Sequence, residues 1–117
     1  MKYWDIPDAY WPSGAPEGDY VSHEAVCILN PTQAPAAVAL TLYFEDRDPM
    51  TGFSLTVDAQ RTRHVRMDRL TNAAGQPVPR DTPYAIRVAS ETEELSVQYT
   101  RVDTTQMQKS SITCKKL

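Results

Sequence analysis

The sequence predicts an all-β fold: a single-domain antiparallel β-sandwich of about six to eight strands, preceded by an irregular aromatic N-terminal arm. Three observations carry this expectation. Apolar residues between Val21 and Asp103 recur with a period of two, which puts one side-chain row on a dry face and the next on a wet one. Turn residues break these runs at short intervals, and no stretch has the periodicity of a long helix. With 117 residues, the chain suffices for one domain that buries its own core without disulfides or metal.

Residues 1–20 hold Tyr3, Trp4, Tyr10, Trp11 and Tyr20 among Pro7, Pro12 and Pro16. Disordered leaders are poor in aromatics, so this arm is expected to pack on the domain, a neighbouring subunit or a ligand. The sandwich proper is expected over residues 21–106. Its first strand, near 22–29, contains Ala25-Val26-Cys27-Ile28-Leu29, a run without polar alternation that suits a central strand buried on both faces. Strands follow near 36–45, where Val38, Leu40, Leu42 and Phe44 share a face, and near 52–58, where Phe53, Leu55 and Val57 do. In the next, near 61–67, Val65 and Met67 share one face and Thr62, His64 and Arg66 the other. Asn72 to Pro83 contains three prolines and no periodicity, and reads as a long surface loop. Two last strands are expected near 84–90 and 95–102, and the tail from 107 to 117 as a short helix or frayed end.

Composition narrows the function classes. There are 12 Lys+Arg against 15 Asp+Glu, a net charge of −3, which speaks against a protein built to grip nucleic acid or anionic lipid. The longest apolar run, Ala34 to Phe44, is too short to span a membrane. The first eight residues lack the apolar core of a secretory signal. Cys27 lies in an apolar run and Cys114 in a polar tail, so they read as unrelated thiols of a reducing compartment, and the cytoplasm is the expected location.

No Gly-X-Ser-X-Gly elbow, phosphate-cradling glycine loop or His-Glu-X-X-His motif occurs, so neither enzymatic activity nor a cofactor is expected. His23, Glu24 and His64 have the residue types of an iron site, but neighbours on a strand point to opposite faces, so His23 and Glu24 do not reach one metal without a bulge. No metal is expected, and a metal-dependent enzyme using His23 and His64 stands as a third reading behind the binding and relay ones. The polar rows hold more promise. Thr62, His64 and Arg66 form one, and Ser96, Gln98 and Thr100 a second. In one sheet they would make a surface suited to a polyol or a carboxylate. Sugars are held by an aromatic ring beneath the pyranose and planar polar groups on its hydroxyls. Trp4 and Trp11 could supply rings, and Gln98, Arg101, His64 and Glu24 polar contacts. The same residues also suit packing anchors and subunit contacts.

Five blocks of sequence add a family likeness. Ser22–Asn30, Leu40–Asp46, Arg61–Arg66, Pro79–Ala85 and Val97–Arg101 together resemble the soluble sensory-rhodopsin transducer family, and the likeness runs from about Trp4 to Gln106. It implies a small β-sandwich that assembles as a homotetramer, either relaying a signal from a membrane photoreceptor or binding sugars or related small molecules. The polar residues in the matching blocks are Trp4, His23, Glu24, Asn30, Arg61, Thr62, His64, Gln98 and Arg101.

Overall fold

Period-two alternation gives each strand one apolar row, and the rows are buried by stacking two sheets face to face. The computed structural model describes residues 1–12, 23–103 and 111–116, with side chains as far as Arg101. Its strands are β1 (Lys2–Ala9), β2 (His23–Asn30), β3 (Ala36–Phe44), β4 (Met50–Val57), β5 (Arg61–Arg66), β6 (Tyr84–Ser90), β7 (Ser96–Asp103) and β8 (Ser111–Lys116). A 3₁₀ turn, Met67–Arg69, follows β5. The first sheet has the order β1-β6-β3-β4 and the second β5-β2-β7-β8. All pairings are antiparallel.

The core lies between the sheets. Trp4, Ile6, Leu40, Leu42, Phe53, Ile86 and Val88 face inward from the first sheet, and Val26, Ile28, Val65, Val97 and Tyr99 from the second. The expected all-β sandwich and the side-chain parity of its strands are therefore present.

Several expectations need correction. The N-terminal arm is not irregular over its first half, because Lys2–Ala9 forms a regular edge strand. Trp4 and Ile6 supply the inward row, and the pairing with β6 shifts register between Ile6 and Ala9, around Pro7. Proline is tolerated there because an edge strand has one unpaired side. The rest of the arm, 13–20, lies outside the described residues. The tail is neither helix nor frayed over Ser111–Lys116, which adds β8 beside β7. Ile112 and Thr113 are β-branched and favour that state.

The β2 run is central, as expected, but is not buried on both faces of the single chain: Leu29 is 44% exposed and Ala25 and Cys27 half-buried. The 72–83 loop carries internal order. Asn72 Oδ1 accepts from the Ala74 and Gln76 amides, its Nδ2 donates to the Thr51 carbonyl, and Val78 is buried. An asparagine side chain that mimics a backbone turn gives such a loop one conformation.

Candidate ligand groove and a buried carboxylate

Strand register assembles the groove. On the outer face of the second sheet, Cys27 sits opposite His64 on one side and Gln98 on the other. Leu29 is likewise flanked by Thr62 and Ser96, and Ala25 by Arg66 and Thr100. These three rows, with His23 at the end of β2, line an open groove of about 740 Å³. Its floor is the apolar stripe of β2 and its walls are polar. Directly opposed antiparallel residues stand about 5 Å apart, so a small ligand on the floor can touch both walls. Arg66 is held in place by a bidentate ion pair with Asp68, at 2.7 and 2.8 Å.

The expected site residues thus divide. His23, Thr62, His64 and Gln98 share the groove. Arg61 is exposed on the same strand but has the opposite parity, and donates to the Gln60 carbonyl. Trp4, Glu24 and Asn30 lie inside the sandwich. At 6% exposure and in the other sheet, Trp4 is a core anchor out of reach of the groove. Trp11 is half-buried with the Arg80 guanidinium over its ring at 4.2 Å, which occupies the face a sugar would need.

Asn30 is a structural tie. Its Nδ2 donates to the Ala34, Val57 and Asp58 carbonyls at 2.9, 3.0 and 3.2 Å, and its Oδ1 accepts from the Thr32 amide and hydroxyl. Its side chain thereby closes the turn after β2 and ties it to the end of β4.

Glu24 is fully buried and links the two sheets. Its carboxylate accepts from the hydroxyls of Tyr84 on β6 and Tyr99 on β7, and from the Tyr10 amide. Burial pushes its pKa above the usual range, while the two tyrosines, the amide and the positive charge of Arg101 pull it back. The same burial, and the neighbouring carboxylate, push the Tyr84 and Tyr99 hydroxyls up. Arg101 leaves the core at the strand's end and lies 3.9 Å from Asp8 of β1. The tyrosine partners escaped the sequence reading, although a signal was present: a tyrosine in an apolar row needs a buried acceptor for its hydroxyl. Arg66, Ser96 and Thr100, which parity already placed in the two polar rows, join the groove because strand register sets those rows on either side of β2.

Fold and groove together define a small two-sheet sandwich with a polar-walled groove on the outer face of its second sheet. The sequence matches the family described as Anabaena sensory rhodopsin transducer over residues 1–116, and the chain belongs to that family. The structure titled "Anabaena sensory rhodopsin transducer" is similar, with 40% identity and a TM-score of 0.74, over 86% of this chain and 87% of that one. The crystal structure of Thermotoga maritima 1070 is also similar, with 28% identity and a TM-score of 0.82, over 97% of this chain and 90% of that one. A comparison with curated proteins returns no match. Family membership makes the chain a transducer-like module.

Proposed function

We propose that this chain is a non-enzymatic relay that binds a small polar molecule in the groove of the β5-β2-β7 face and passes the occupancy to a partner. The observation that supports it is the set of three cross-strand rows which, with His23 at the end of β2, surround an apolar floor with two imidazoles, an amide, three hydroxyls and a guanidinium. That chemistry suits a polyhydroxylated ligand or a carboxylate. A sugar remains the first class to test, held by its hydroxyls and not by a tryptophan, since Trp4 and Trp11 are otherwise engaged. The favoured setting is a cytoplasmic homotetramer. A half-exposed Leu29 on the central strand supports subunit burial nearby.

Calorimetric titration with a panel of sugars and sugar acids tests the reading, using wild type, His64→Ala and Gln98→Ala. Heat present in wild type and lost in both variants is the expected result; heat unchanged by both would refute the groove as the site.

A second reading rests on the likeness to the structure titled as a sensory rhodopsin transducer: the partner is a microbial rhodopsin in the membrane. Among the described residues no helix is long and apolar enough to cross a membrane, so such a partner would be met at the bilayer surface. Co-purification with a rhodopsin encoded beside this chain is the expected observation.

A further inference from the structure

Every open sandwich must manage the outer strands of its sheets, whose unpaired N–H and C=O groups can receive another strand. Two of the edges here are managed internally. β4 has its Thr51 and Gly52 carbonyls bonded to Asn72 Nδ2 and the Ala73 amide, and its Thr56 and Val57 carbonyls to Arg63 and Asn30 side chains. β1 is interrupted by Pro7 and a register shift.

The β5 edge differs. Among the described residues no strand lies beyond it, and Arg61, Thr62, Arg63 and His64 are all exposed. Arg61 Nη1 donates to the Gln60 carbonyl at 3.0 Å and Arg63 Nη1 to the Thr56 carbonyl at 2.8 Å. No described ion pair involves either guanidinium. In a chain of net charge −3, this edge carries positive charge that local carboxylates leave uncompensated.

We propose that β5 is a docking edge for an acidic segment of a partner protein, which adds to the sheet as a further strand. Main-chain hydrogen bonds would supply affinity and the arginines selectivity. Alternate side chains of the added strand would fall beside Arg61 and Arg63 on one face, and beside Thr62, His64 and Arg66 on the other.

Charge complementarity selects the occupant. A second copy of β5 would bring like charges together across the new pair, which disfavours self-pairing. A broad polyanion meets a different obstacle: Asp58 precedes the strand and Asp68 follows it, so favourable charge spans only the six residues of β5, about 20 Å. An extended peptide fits that length, whereas a nucleic acid or anionic membrane would also face the flanking carboxylates. The added strand would lie beside the groove wall formed by Thr62, His64 and Arg66. It would be held by the β5 main chain and by Arg61 and Arg63, which lie outside the groove, so failure of the docking edge would leave ligand binding in the groove intact.

The test uses the full chain and a synthetic peptide in which glutamate alternates with valine and threonine. Calorimetry gives affinity, and amide chemical shifts give location. Saturable binding with shifts centred on residues 61–66 is expected. The double variant Arg61→Glu/Arg63→Glu, confirmed folded by circular dichroism, should bind at least about tenfold more weakly and should prefer the lysine counterpart of the peptide. A peptide N-methylated at alternate positions should lose binding, since it cannot complete the ladder. Absence of binding, equal binding by the double variant or the methylated peptide, or tighter binding of duplex DNA or phosphatidylserine vesicles would each overturn the proposal.

Discussion

Replacing Glu24 by glutamine removes the one fully buried acid of the described interior while keeping its volume. Burial raises the carboxyl above its ordinary value of 4.5. Between 4.5 and that raised value the folded chain holds a proton that the unfolded chain releases. Wild-type stability is therefore greatest at and below the unfolded value, and falls as pH rises through the folded one. One proton limits the slope to about 1.4 kcal/mol per pH unit. Carboxyls held down by arginine partners, Asp5 and Asp68 among them, act in the opposite sense, below 3.8, outside this window. Glutamine has no proton to release, so the wild-type minus variant difference isolates Glu24. At the acid end, where the folded carboxyl is protonated, the variant should be less stable by roughly 1–3 kcal/mol, because its Nε2 brings two N–H donors where the acid has one O–H, among neighbours that themselves donate to Glu24. That gap should narrow toward neutral pH. Urea unfolding midpoints at a series of pH values from about 4.5 to 8 measure it directly. Parallel pH profiles for the two proteins would refute the reasoning, as would a wild type that gains stability across the window relative to the variant.

Other changes probe separate joints of the fold. Tyr84→Phe deletes a donor to the Glu24 carboxylate and should cost about 1.5–3 kcal/mol near neutral pH, where that carboxyl is most ionised; an unchanged urea midpoint there would argue against the contact. Asn30→Ala strands the Val57 carbonyl and frees the Thr32 turn, for an expected loss of about 3 kcal/mol that chemical denaturation would detect. Gly52 adopts φ +88°, and a Cβ there would come to 3.4 Å from the Ala73 amide nitrogen. Gly52→Ala should therefore lower the thermal midpoint, with a cost on the order of 1–2 kcal/mol. Leu29→Ser, at a 44% exposed position on the groove floor, should leave the stability of the isolated chain within about 0.5 kcal/mol. Sedimentation of the same variant should show weaker self-association if this face is covered by another subunit.

Much of the architecture was legible because alternation is a local property. Val38, Leu40 and Leu42 declare one face of β3 without knowledge of any partner, and Thr62 and His64 separate from Val65 and Met67 by parity alone. Trp4 misled for the same local reason: its aromatic neighbours and nearby prolines resemble a recognition arm, while its alternation with Ile6 is too short to announce a strand. The polar identities of Glu24 and Asn30 suggested ligand contact, but each has its hydrogen-bonding groups engaged within the protein.

Sequence alone determined which side chains point together along a strand, since backbone pleating sets that whatever the surroundings. Only tertiary structure decided which strands lie side by side, and so that His64, Cys27 and Gln98 form one row while Glu24 meets tyrosines from both sheets. The physical reason is distance along the chain: Cys27 and Gln98 pair across 71 residues, and no local preference encodes a partner so far away.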